Sequence, residues 1–232
     1  MMLVDPFRFA GSSPATLEFM GDFLKYEETD AITFSGINLG DPRDDRRIIV
    51  TIHVLRASSI PAVVEGYVDG AQATIHSQEV IQFTNTYYGL VGIMTARLPS
   101  GNIGSITIKF ASEFGAQVRI GVYNAKNIQN DHIFDINSKV SNVTAVEHSL
   151  NISVPKDGIV LAACVVGSPN YPVEIEGTVT NYSDIFGDSS YKSAGGGDVI
   201  ADSDHDYNIV FRLVGGPSFA EMSGVFLAAS FR

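Results

Sequence analysis

The first candidate for chemistry is an alternating acidic stretch, DSDHD at 202–206, which contains Asp202, Asp204 and Asp206. Alternating carboxylates can surround a hard cation with oxygen ligands. An EF-hand loop would also need Gly at its sixth and Glu at its twelfth position, where this chain has Tyr207 and Leu213. We therefore interpret the stretch first as an acidic turn before a strand and keep a bound cation as the alternative.

A second candidate is the charge cluster Asp44-Asp45-Arg46-Arg47, which runs into the stretch IIVTIHV at 48–54. The alternation there predicts a strand whose core face carries every second residue, so that His53 lies on the opposite face and points away from the core. We expect the four charged side chains to be solvent-exposed and to carry no essential chemistry. We also expect the replacement of His53 by Ala to lower the free energy of unfolding by less than about 1 kcal/mol.

No recognisable catalytic or cofactor motif is present. The five histidines show no metal-ligand spacing, and no nucleophile elbow, phosphate loop or dinucleotide fingerprint occurs. Cys164 is the single cysteine and lies in the apolar run GIVLAACVV, which favours a buried small side chain. Glu174 and Glu176 share one strand face, which is ordinary for the solvent-exposed face of a strand. Dispersed carboxylates could still serve a glycan hydrolase. We therefore predict no catalytic residue and no cofactor.

Tyrosines near turns could instead bind sugars through their rings. The candidates for glycan contact are Tyr87, Tyr88, Tyr182 and Tyr191, with Tyr171 nearby, and the glycine triplet 195–197 next to Tyr191 is predicted to be a mobile loop. Ordinary packing at a loop rim is the alternative for each ring.

Composition excludes several classes of protein. The chain has 232 residues, 45% of them hydrophobic, and a net charge of −11, with its 15 basic residues scattered. This balance disfavours binding to nucleic acids and to anionic membranes. The first residues lack the pattern of a signal peptide, and no run is long enough to span a membrane, so we expect synthesis in a cytoplasm.

Alternating apolar residues recur along nearly the whole chain and predict an all-β protein, an antiparallel β-sandwich of jelly-roll or Greek-key type with about ten or more strands. The runs 159–166 and 225–231 are almost continuously apolar or small, which indicates central strands covered on both faces. Residues 14–27 fit a helix or a strand, and we favour the strand because Gly21 lies in the middle. The polar segment 124–148 is either a long loop or a boundary between two halves.

We predict two parts, an extended N-terminal docking arm at 1–13 and a single β-sandwich domain at 14–232. The arm is too short to fold alone but apolar, and Pro6 favours an extended path. Its interface residues are Leu3, Val4, Phe7 and Phe9, which would find burial against a sheet edge or groove of their own chain or of a neighbour.

The order of several phrases resembles a diffuse group of β-sandwich virion structural proteins from tailed phages and gene-transfer-like particles. The phrases are ITFSGINLG at 32–40, DDRRIIVTIHV at 44–54, GIMTARLPSGNIGSITIKFAS at 92–112, LNISVPKDGIVLAACV at 150–165 and VFLAASFR at 225–232. The resemblance implies a non-enzymatic head decoration, spike or tail surface component located on the virion after synthesis in a bacterial cytoplasm.

The same resemblance implies partners among other virion proteins and a homo-oligomer, with a trimer as the first hypothesis. A host-surface glycan is a further possible partner. Two alternatives remain open at this point: a carbohydrate-binding module or adhesin that uses the loop tyrosines, and a glycan hydrolase with dispersed carboxylates.

Overall fold

The computed structural model describes residues 14–56, 58–83, 87–128, 133–167, 171–185, 192–214 and 222–232. These residues form fourteen strands in three antiparallel sheets and contain no helix, which confirms the all-β class. The strands are β1 (Thr16–Asn38), β2 (Arg47–Arg56), β3 (Val63–Val68), β4 (Ala71–Gln82), β5 (Tyr88–Arg97), β6 (Ile103–Lys126), β7 (Asp135–Ala145), β8 (Glu147–Val154), β9 (Ile159–Gly167), β10 (Val173–Glu176), β11 (Val179–Ile185), β12 (Lys192–Ile200), β13 (His205–Leu213) and β14 (Met222–Phe231).

The first six strands form a small closed barrel. The long strand β6 pairs with β3 through its first half and with β2 through its second half, and β2, β5, β4 and β3 pair in turn to complete the ring. The barrel interior is filled by apolar side chains, among them the predicted core residues Ile48, Val50, Ile52 and Val54. The predicted core face of β2 is therefore confirmed.

The five-stranded sheet, in the order β11-β12-β9-β14-β7, lies between two other layers. One face of this sheet packs on the outside of the barrel, where Leu161 and Leu227 meet barrel residues such as Ile49. The other face packs on the three-stranded sheet β10-β13-β8, where Val160 and Phe226 contact the layer. Because both faces are covered, β9 and β14 are the central strands that their continuous apolar sequences predicted.

One local prediction is confirmed and two others change. Residues 14–27 contribute to strand β1, as favoured over the helix, and the segment 124–148 contains β7 as well as the ends of β6 and β8. The chain turns at Gly177, whose φ of 90° lies in the left-handed region, so β10 and β11 join different sheets. The glycine triplet 195–197, predicted to be a mobile loop, lies inside strand β12 and is buried.

The closed barrel is an element that a single sandwich does not contain, so the jelly-roll or Greek-key type stays a prediction. The division into an arm and one domain also stays a prediction, because residues 1–13 lie outside the described residues. In the described part of the chain, no helix is long and apolar enough to cross a membrane.

Candidate functional site

A buried group of potentially reactive side chains lies between the barrel and the five-stranded sheet. Thr51 and His53 project from the outer face of β2, opposite the face that fills the barrel. They meet Tyr182 from β11 and the backbone of Cys164 in β9. As predicted, His53 points away from the core that Ile48 and Val50 help to form, but it is 0% exposed, because this face of β2 enters a second core instead of solvent.

Hydrogen bonds join these groups into a chain with a defined direction. His53 Nδ1 lies 3.1 Å from the Cys164 carbonyl oxygen, which can only accept, so Nδ1 carries the proton and donates. The neutral ring then accepts at Nε2 from the Tyr182 hydroxyl, 2.5 Å away. Tyr182 in turn lies 2.6 Å from Thr51 Oγ1, whose proton it accepts. Two strands of the five-stranded sheet are thereby bonded to one strand of the barrel.

Burial keeps every member of this cluster neutral. Desolvation lowers the pKa of His53 to about 3, with Arg119 as a smaller cause in the same direction, although the bond to the Cys164 carbonyl opposes it. Burial also raises the pKa of the Cys164 thiol to about 12 and that of Tyr182 well above its usual value. A thiol and a phenol that stay protonated are poor nucleophiles, so the arrangement suits a structural link rather than acid–base or covalent catalysis.

Glycines make the space that the Tyr182 ring occupies. A Cβ added at Gly121 would lie 2.5 Å from Tyr182, and one at Gly196 would be equally close to it. The ring also stacks on Phe19, with centroids 5.6 Å apart. Gly196 belongs to the triplet expected in a loop. Because it has no side chain, it lets strand β12 pass close to the Tyr182 ring.

The Tyr182 hydroxyl gives a direct test of the link. We expect Tyr182→Phe to lower the free energy of unfolding by about 1–3 kcal/mol, because Nε2 of His53 loses its buried donor. Tyr26→Phe is the matched control, since Tyr26 is 61% exposed and bonds only Glu28; we expect less than about 0.5 kcal/mol there. Urea unfolding of both variants measures the difference, and equal losses would contradict the assignment.

Further polar groups border the same interface. Arg119 donates to Asp22 at 2.7 Å, with the arginine side chain only 5% exposed. Asn181 donates to Asp198. Burial raises the pKa of the Asp198 carboxyl, although the bond from Asn181 opposes the shift. Tyr123 lies beside Asn181, and burial raises the pKa of its phenol. These bonds extend the polar link rather than forming an open cleft.

A second buried polar group closes one end of the barrel. Arg46 is 0% exposed, and its guanidinium donates to the carbonyls of five residues in two loops. The acceptors are Leu98 (2.6 Å), Leu39 (3.3 Å), Gly40 (2.8 Å), Ser100 (2.6 Å) and Gly101 (2.7 Å). A guanidinium has five N–H donors, so all of them are used. The expectation that the charges at 44–47 are solvent-exposed is therefore wrong for Arg46. Asp44 is exposed and Asp45 is partly exposed.

The predicted acidic stretch does not converge on one point. Asp202 accepts from the Ser203 hydroxyl, Asp204 from the backbone N–H of Lys156, and Asp206 from the Ser153 hydroxyl. Among the residues that the structure describes, no three His, Cys, Asp or Glu side chains form a group that could hold a metal ion. Asp204 and Asp206 instead join the start of β13 to the end of β8 and the residues after it, whereas Asp202 bonds only its neighbour.

The tyrosines proposed for glycan contact divide between different environments. Tyr182 is 6% exposed inside the link described above, so its assignment to a sugar platform is wrong. Tyr88 packs partly against the barrel core, and Tyr87 is 37% exposed. Tyr191 lies outside the described residues, as do the predicted interface residues Leu3, Val4, Phe7 and Phe9.

The two glutamates considered for hydrolysis are exposed on β10. Glu176 accepts from Arg212, which also bonds Glu147 at 3.1 Å. This is an exposed ion-pair network on the outer face of the three-stranded sheet, and such pairs are common on wet strands.

An open groove of about 440 Å³ lies at one end of the two stacked sheets. Its apolar wall contains Phe134, Val154 and Pro155, and its rim contains Asp204, Asp206 and Arg232. Phe134 is 52% exposed although it is a large apolar side chain. Sequence periodicity could not predict this groove, because it is assembled from the ends of β8, β13 and β14.

Comparisons with known proteins place the chain in no family. No protein-family model matches the chain, and no curated protein matches it. A solved structure of an anti-sigma factor domain-containing protein is 10% identical, with a TM-score of 0.20, covering 84% of this chain and 78% of its own. A second, from Clostridium clariflavum, is 8% identical with a TM-score of 0.19, covering 84% and 77%. At these TM-scores neither similarity carries an argument about fold or function.

Proposed function

We propose that this protein is a non-enzymatic structural component of a tailed bacteriophage-like particle, exposed on the head, collar or tail. The proposal rests on the phrase order that resembles the virion group. The observation that favours a structural role is the state of the reactive side chains: His53, Cys164 and Tyr182 are neutral, buried and bonded to each other or to backbone. Such groups hold layers together and meet no substrate.

Charge supports the same proposal. A net charge of −11 suits a component of a particle surface and opposes contact with packaged DNA. We propose other virion proteins as partners and a homotrimer as the first assembly to test. The finer fold type, a jelly-roll or Greek-key sandwich over residues 14–232, belongs to this proposal as well.

The arm at 1–13 is the proposed attachment to the particle. Deleting residues 2–12 should leave the three cores folded, because none of their members precedes Ala15. We expect the same deletion to abolish incorporation, since it removes Phe7 and Phe9, whose burial against a neighbour would stabilise the docked state by about 1.5–3 kcal/mol each.

The measurement is the copy number of the tagged protein in purified particles, by quantitative mass spectrometry. Val143→Ser is the control, because Val143 is 74% exposed and lies outside the arm. If a folded deletion variant is present in particles at the normal copy number, the arm is not what attaches the protein. If the full-length protein is absent from every particle fraction of its host, the proposed function itself is contradicted.

The carbohydrate-binding alternative loses one of its four tyrosines to the buried link. A glycan array with Tyr87→Ala addresses what remains, and binding that this change abolishes would favour the adhesin over the purely structural role.

A further inference from the structure

We propose that, in the isolated protein, the open groove at the end of the stacked sheets binds the Phe7-Arg8-Phe9 segment of the chain's own N-terminal arm. The occupant is inferred from the position of the groove, from its charges and from the sequence of the arm. This inference concerns the single chain and does not depend on the proposed function.

The start of the described chain lies beside the groove. The backbone N–H of Ala15 donates to the carbonyl of Asp157 at 3.2 Å, and Asn127 donates to the carbonyl of Pro14 at 2.9 Å. Asp157 is two residues after Pro155, which lines the groove, and the N–H of Gly158 turns back to the Pro155 carbonyl. The described chain therefore starts at the turn that directly follows Pro155, a residue of the groove lining.

The length of the arm is sufficient. Phe9 is five residues from Pro14, and an extended chain spans about 3.3–3.6 Å per residue, or roughly 16–18 Å for this stretch. A tether this short raises the effective concentration of the segment at the groove into the millimolar range or above, so the chain's own arm has an advantage over the arm of another copy.

The chemistry of the segment complements the lining. The arm contains one base, Arg8, and one acid, Asp5. The rim of the groove contains two acids, Asp204 and Asp206, and one base, Arg232, so it offers partners for both Arg8 and Asp5. The two phenylalanines that flank Arg8 match the half-exposed Phe134, which otherwise faces water, whereas Val154 and Pro155 beside it are already buried.

Disulfide trapping in the full chain tests the proposal. The pair Ala10→Cys and Lys156→Cys leaves both phenylalanines, the two charges of the arm and every lining residue intact, because Lys156 is exposed and follows Pro155 without lining the groove. The native Cys164 does not compete, because it is 0% exposed and its thiol has a raised pKa. Under mild oxidation at micromolar protein, we expect an intrachain disulfide, seen as a monomer by mass and by non-reducing electrophoresis.

Two controls separate docking from random encounter. Adding Phe7→Ser, Arg8→Ser and Phe9→Ser to the same cysteine pair should slow disulfide formation at least tenfold, because the tether remains but the recognised side chains are gone. Pairing Ala10→Cys with Val143→Cys should yield no intrachain disulfide, since Val143 lies beside the opposite end of β14, roughly 23 Å along the strand from Ser230, whose carbonyl binds Phe134.

Equal rates with and without the three serine changes would overturn the proposal, because the arm would then pass the groove without binding it. Covalent dimers as the main product would also overturn it and would identify the arm of a second copy as the occupant. Neither outcome bears on incorporation into particles, so this inference and the proposed function fail independently.

Discussion

Arg46→Ala is expected to lower the free energy of unfolding by about 3–5 kcal/mol, among the largest effects of any single change in this chain. The guanidinium donates to five backbone carbonyls from the loops at 39–40 and 98–101, and those loops close one end of the barrel. Removing the side chain leaves these buried acceptors without their donors and opens a cavity among them.

Three variants make this test specific. Arg46→Lys keeps the charge but offers three donors instead of five, so an intermediate loss is expected. Arg43→Ala is the control, because Arg43 lies on the same loop and forms an exposed pair with Asp45 at 3.2 Å; its loss should be within about 1 kcal/mol. Chemical unfolding provides the free energies. If alanine at 46 costs no more than alanine at 43, the guanidinium does not hold the loops.

His53→Ala is expected to lower the free energy of unfolding at pH 7 by about 2–4 kcal/mol, because the change leaves a cavity and unpairs both the Cys164 carbonyl and the Tyr182 hydroxyl. His205→Gln, which changes an exposed histidine at the first position of β13, is the control and should remain within about 0.5 kcal/mol of the wild type. Equal effects of the two changes would contradict the buried position of His53.

The same histidine predicts how stability depends on pH. Its pKa is about 3 in the folded chain and about 6.5 when unfolded, so the unfolded chain binds the extra proton between these values. The contribution of the neutral ring is fully present above pH 6.5 and declines by about 1.4 kcal/mol per pH unit as the pH falls towards 3. Unfolding free energies of wild type and His53→Gln, measured from pH 7 to pH 4, should therefore converge as the pH falls. A constant difference would show that the ring does not stay neutral in the folded protein.

The order of residues by itself determined the all-β class, the inner face of β2 and the double coverage of β9 and β14. Each of these depends on which side of its own strand a residue occupies, and alternation with a period of two reports that directly. A strand that is apolar on both faces can be recognised as central without knowledge of its neighbours.

Only the tertiary structure decided what covers the second face of β2. His53 is polar, lies in an alternating strand and is separated by 111 residues from Cys164, whose carbonyl it binds. The local sequence does not distinguish this buried face from a solvent-exposed one. The cost of burying the ring is offset by hydrogen-bond partners that only folding brings together. The same reason applies to Tyr182 and to the glycine triplet of β12, which reads locally as a loop but provides the space for that ring.

Arg46 shows the limit most clearly. In the sequence it is one of three arginines beside two aspartates, and such a group normally lies in water. In the fold its partners are five carbonyl oxygens, and every residue type offers a carbonyl oxygen, so no side-chain pattern could predict them. The sequence determined how each strand faces, and the packing of distant strands and loops decided which polar groups are enclosed, because burial depends on neighbours that local periodicity does not encode.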